Sequence, residues 1–85
     1  MSKLEKAIYN LLNPSSTVTF QELEYILGKF GYHEKKTGKT AGSRKAFLND
    51  ETMHIIRLHE PHPQNEVKEY VKKYIIEELK SQYLL

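Results

Sequence analysis

The chain has 85 residues, a net charge of +2 and no cysteine. That length makes one small domain, and the missing thiols exclude a disulfide framework and a thiolate metal site. The mean hydropathy is −0.64, no apolar run reaches the length of a membrane span, and the N-terminus lacks a signal-peptide pattern, so a soluble cytoplasmic protein is expected.

The charge is unevenly spread. Lys29, Lys35, Lys36, Lys39, Arg44 and Lys45 stand in one segment with a single acid, Glu34. A local excess of this kind holds a phosphate backbone even on a chain that is near neutral as a whole. The same run would also serve as a solvated, solubilising loop.

In chain order, Leu4, Ala7, Ile8, Leu11 and Leu12 recur at helical spacing and Asn13-Pro14-Ser15-Ser16 stops them. This predicts a helix over 3–12, either docked or frayed. Thr19 with Glu22 three residues later is a capping box, Phe20, Leu23, Ile26, Leu27 and Phe30 form an apolar stripe, and Gly31 is placed to end the helix. Residues 32–37 and 43–48 read as strands separated by a Gly- and Lys-containing loop. Asn49-Asp50-Glu51 reads as a turn and 52–59 as a third strand. The preferred register of that strand buries Ile56 and Leu58 and leaves Ile55, Arg57 and His59 on the open face; the opposite register would bury Met53 and Ile55. Pro61 and Pro63 end it.

A last helix is expected over 65–83, with Val67, Tyr70, Val71, Tyr74, Ile75 and Leu79 on its apolar stripe and Lys68, Glu69, Lys72, Lys73, Glu77 and Lys80 outside. Tyr70, Tyr74, Phe20 and Phe30 read as core residues, because they share those stripes. The expected core is Leu23, Leu27, Phe30, Phe47, Val71, Ile75 and Leu79. The fold class is therefore α+β: a three-stranded antiparallel sheet with helices on one face, in the layout of a double-stranded-RNA-binding domain, plus an extra N-terminal helix.

Three stretches then resemble a family. Thr19-Phe20-Gln21-Glu22-Leu23 to Phe30-Gly31-Tyr32, Gly42-Ser43-Arg44 to Phe47, and Pro61-His62 to Glu66-Val67 are similar to the HicA toxins of bacterial toxin–antitoxin systems. The resemblance covers residues 17–83 and leaves 1–13 as a helical extension of a single domain over 1–85. It implies an mRNA interferase of the bacterial cytoplasm, neutralised by a HicB-like antitoxin. The family carries Gly-Ser-His where this chain has Gly-Ser-Arg, and Lys68-Glu69-Tyr70 stands where the family has Gly-Thr.

RNA cleavage without a metal needs a base for the 2′-hydroxyl, an acid for the leaving oxygen and a cation for the charge that builds on phosphate. Histidine suits the first two and arginine the third. The candidate catalytic residues are therefore His59 as acid or base, Arg44 as phosphate clamp and His62 in reserve. The candidate RNA-binding residues are Lys35, Lys36, Lys39, Ser43, Arg44, Lys45 and Arg57. His33 and His54 fall on no motif. The spacing of His59 and His62 does not fit zinc, so neither a metal nor another cofactor is expected. The same pattern also suits a non-catalytic nucleic-acid-binding module, or an interaction domain whose open sheet face docks a protein.

Overall fold

The computed structural model describes residues 2–35, 44–61 and 65–85. Its elements are α1 (Lys3–Leu12), α2 (Phe20–Lys29), β1 (Tyr32–Lys35), β2 (Arg44–Asn49), β3 (Ile55–His59) and α3 (Glu69–Ser81). The strands form one antiparallel sheet in the order β1-β2-β3, so the fold is α+β.

The helix ends follow from local chemistry. The Ser2 hydroxyl accepts from the Glu5 N–H and opens α1. Asn13 is extended at the other end, as a residue before proline must be. Thr19 and Glu22 form the expected capping box of α2, and Gly31 follows it with φ +92°.

The last helix starts later than its sequence pattern. Residues 65–67 instead run extended beside 18–20. The Phe20 N–H donates to the Asn65 carbonyl (2.9 Å), the Val67 N–H donates to the Val18 carbonyl (2.8 Å), and Thr19 and Glu66 form a bridge. These backbone bonds hold the segment open until Lys68, the N-cap. The helix also ends at Ser81 rather than Tyr83. Tyr83 turns left-handed (φ 59°). Its N–H donates to the Lys80 carbonyl, while the Leu84 N–H donates to that of Leu79. This is the paired pattern that closes a helix, made here with tyrosine where glycine is usual.

The hairpin loop is also displaced from the expected position. Asn49 belongs to β2 and is buried. Its Oδ1 accepts from the N–H groups of Glu51 and Thr52, and its Nδ2 donates to the Phe30 carbonyl. Met53 then adopts φ 60° and its N–H reaches back to the Asn49 carbonyl, so β3 begins at Ile55 rather than at residue 52.

Tyr32, Phe47, Ile56 and Leu58 face the helices and pack with Ala7, Leu11, Leu23, Leu27, Ile75 and Leu79. The preferred β3 register is thus the observed one. Of the seven expected core residues, Phe30 and Val71 lie at the margin and the other five are buried. α1 is docked, through Ala7 and Leu11. No described helix is long and apolar enough to cross a membrane.

The buried face of α3 is rotated from the expected stripe. Ile75, Leu79 and Lys72 are its buried residues, whereas Tyr70 is 69% and Tyr74 37% exposed. The cause is α1, which brings its C-terminus against α3. The Lys72 ammonium donates to the carbonyls of Asn13 and Ser16, at 2.8 Å each, and lies 3.8 Å from the Glu69 carboxylate. The exposed Glu69 thus pairs with the buried Lys72.

Candidate nucleic-acid interface

The open face of the sheet is set by strand alternation and register. Phe47 and Ile56 are paired and buried, so residues of opposite parity on β2 and β3 point away from the helices. Arg44 stands directly opposite His59, and Ala46 opposite Arg57. On the other side of β2, Lys35 is also opposite Ala46. One cross-strand row therefore reads Lys35, Ala46, Arg57, and the next holds Arg44 and His59.

The small Ala46 side chain leaves a hollow between larger neighbours. That hollow has a volume of about 430 Å³, and Ala46, the half-buried Ile55 and Leu58 line it together with Lys35, Arg44, Lys45, Arg57 and His59. Among the described residues no carboxylate lines it. Among the described residues, Lys35, Arg44 and Arg57 form no ion pair and the His59 ring has no hydrogen-bond partner. Directly opposed strand residues have Cβ atoms about 4.5–5.5 Å apart, so a guanidinium and an imidazole here reach a common anion.

Lys45 borders the same hollow, but its ammonium is engaged elsewhere. It shares the phase of Phe47 and points to the helix side, where its ammonium lies 3.4 Å from Glu60 and 3.8 Å from both Glu24 and Glu34. It also sits 5.3 Å from the centre of the Phe20 ring. Burial acts to lower the Lys45 pKa, but Glu24, Glu34 and Glu60 together outweigh it and leave the pKa raised. The other expected contacts, Lys36, Lys39, Ser43 and His62, lie outside the described residues.

No family model, curated protein or solved structure matches the chain.

The two histidines without a motif lie toward the other end of the sheet. His33 makes an exposed 2.9 Å contact with Asp50. The His54 Nδ1 is 2.6 Å from the Tyr32 hydroxyl and its Nε2 is 3.3 Å from Glu78. This chain ties β1, the start of β3 and α3 together beside the core. No group of three or more His, Asp or Glu residues suited to a metal occurs among the described residues.

Sequence reading did not find the roles of Ala46 and Ile55 in the hollow. Their phase relative to Phe47 was the signal that could have shown them. It also missed a second hollow, of about 520 Å³, on the helix side of β3. Tyr70 and Tyr74 line that hollow, and it shares Arg57, Leu58 and His59 with the first.

Proposed function

We propose that the open sheet face binds single-stranded RNA and cleaves it, and that the chain is a HicA-like ribonuclease toxin on a double-stranded-RNA-binding-like fold. The observation that carries this reading is Arg44 opposite His59 on a cationic face with no lining carboxylate. The resemblance of the three sequence stretches to HicA toxins supports it from a separate direction.

Arg44 binds the scissile phosphate through its planar fork, and Lys35 and Arg57 hold the neighbouring backbone. Neutral His59 takes the proton of the 2′-hydroxyl. The 2′ oxygen then bonds to phosphorus as the bond to the 5′ oxygen breaks. The products are a 2′,3′-cyclic phosphate and a 5′-hydroxyl, whose proton comes from solvent. Arg44 stabilises the charge on the phosphoryl oxygens throughout. The partner that neutralises the protein is an acidic HicB-like antitoxin domain covering this face, its carboxylates taking the place of the phosphates.

The test is incubation of purified protein with single-stranded RNA in EDTA. Wild type is expected to cleave and to arrest growth on expression. His59→Ala is expected to cleave about 10²- to 10⁴-fold more slowly while still binding RNA. Salt-dependent binding without cleavage by wild type would instead establish a non-catalytic module, a reading favoured by arginine at the family's histidine position. No binding at any salt concentration would leave only the interaction-domain reading.

A further inference from the structure

Two tyrosines on α3 are exposed although they belong to the apolar stripe of the sequence. Tyr70 and Tyr74 are one helical turn apart, 69% and 37% exposed. Both line the hollow between β3 and α3, whose deeper wall is made by Phe20, Leu58, Val67 and Val71. The cations on its rim are Arg57 and Lys68, and no carboxylate lines it. Arg57, Leu58 and His59 belong to this hollow and to the cationic one, so the two meet across β3.

We propose that this second hollow is a nucleobase subsite, in which a base attached to the phosphate at Arg44 and His59 stacks on Tyr70 with Tyr74 behind it. The proposal rests on the RNA-binding reading above and adds the recognition of a base to that of the backbone. Its physical basis is the match of the two hollows to the two halves of a nucleotide. The open face offers cations that form no ion pair among the described residues and a small apolar floor, which suits a phosphate. The α3 side offers aromatic and aliphatic walls with cations at the rim, which suits a flat, uncharged ring held close to an anion. A volume of about 520 Å³ is within the usual range for small-molecule sites. A protein segment seated here would more often find mixed charge at the rim. The continuity with a wholly cationic face favours a chain whose every unit carries both a base and a phosphate.

This arrangement explains a conflict within the helix. Tyrosine at 70 and 74 keeps the apolar period of α3, yet Lys72 is buried with Ile75 and Leu79 while the tyrosines are exposed. The tyrosines stand exposed beside the site rather than at an arbitrary place on the surface. Stacking on an exposed ring is sequence-tolerant, because every base has a π-face, so the subsite adds affinity and positions the 2′-hydroxyl rather than reading one base.

The experiment measures binding of a short single-stranded RNA and of the same oligomer with one abasic nucleotide, to wild type, Tyr70→Ala, Tyr70→Phe and Tyr74→Ala. The wild-type chain is expected to bind the intact oligomer about tenfold more tightly than the abasic one, the usual scale for one base–aromatic stack. Tyr70→Ala is expected to lose that difference, Tyr70→Phe to retain it, and both to keep the wild-type salt dependence. The chain has no tryptophan and six tyrosines, so the part of the tyrosine-emission quenching on binding that Tyr70→Ala removes reports the same contact. If Tyr70→Ala and Tyr74→Ala each bind as wild type and keep the abasic penalty, the subsite is overturned while RNA binding stands, and the hollow is left as a surface for protein. If wild type binds neither oligomer, the RNA reading itself falls, and the subsite with it.

Discussion

The buried Lys72 ammonium donates a 2.8 Å hydrogen bond to the main-chain carbonyl of Asn13, the residue that caps the C-terminus of α1. A second bond of the same length goes to Ser16. One side chain on α3 thus satisfies two carbonyls of the α1–α2 connection and sits at the negative end of the α1 dipole.

Replacing Lys72 by methionine keeps the apolar stem but leaves the Ser16 carbonyl without a donor and the Asn13 carbonyl with the Ser16 N–H alone. The expected loss of stability is about 2 kcal/mol, since one buried unsatisfied group costs about 1–3 kcal/mol. Urea unfolding measures it, with Lys73→Met as the exposed control, expected within about 0.5 kcal/mol of wild type. Amide exchange in α1 should accelerate more than exchange in α2. An equal effect of the two substitutions would show that Lys72 does not hold α1.

A second clamp is the chain from Tyr32 through His54 to Glu78. Burial first, and the Glu78 charge second, raise the Tyr32 pKa above its ordinary value. A raised phenol pKa means that the folded state favours the protonated form. The associated stability is present below the ordinary tyrosine value, near 10, and is lost as pH rises through the higher folded value. Ultraviolet titration should show one tyrosine ionising late, absent in Tyr32→Phe and shifted down in Glu78→Gln. Tyr32→Phe itself should cost about 1 kcal/mol at neutral pH, the net worth of one hydrogen bond.

His33 gives a separate pH signature on the exposed side. Its pKa is raised, first by the hydrogen bond to Asp50, then by the Glu34 carbonyl and the Asp50 charge. Protonation is favoured in the fold, so the contact is fully formed below the ordinary histidine value and fades as pH rises through the folded one. Proton NMR titration should find the His33 ring titrating above the ordinary histidine value, and Asp50→Asn should bring it down. A His33 titration unmoved by Asp50→Asn would show that the pair does not persist in solution.

Much of the fold was legible because its signals are local. The Thr19–Glu22 capping box and Gly31 set both ends of α2, and Pro14 set the end of α1. What was not legible depends on contacts between distant segments. Residues 65–68 have a helical pattern, but their backbone is claimed by residues 18–20. Lys72 looks like an outer-face residue until α1 arrives beside α3, and the same rotation exposes Tyr70 and Tyr74. At the site, the opposition of Arg44 and His59 follows from the hairpin alone. The separation of Arg44 from Lys45 was also available, since neighbours on a strand face opposite ways and Phe47 fixes which way is inward.

That separation makes the sharpest test of the interface. Arg44 and Lys45 are adjacent in sequence, equal in charge and both border the hollow, but Arg44 has the phase of the open face, whereas the Lys45 ammonium lies among Glu24, Glu34 and Glu60. If RNA is held by the segment's overall charge, removing either cation should weaken binding equally. If it is held by the open face, the two should differ. Each lost phosphate contact lowers the slope of log affinity against log salt by about 0.7 for a single strand. Arg44→Ala and Arg57→Ala are each expected to lower the slope by that amount and to slow cleavage. Lys45→Ala is expected to leave the slope unchanged and to act on stability only, because three carboxylates lose their common cation. Arg44→His should lose the bidentate phosphate contact but place a second imidazole opposite His59, and is expected to retain cleavage with an altered pH profile. Equal slopes for Arg44→Ala and Lys45→Ala would show that the sheet face does not define the binding site.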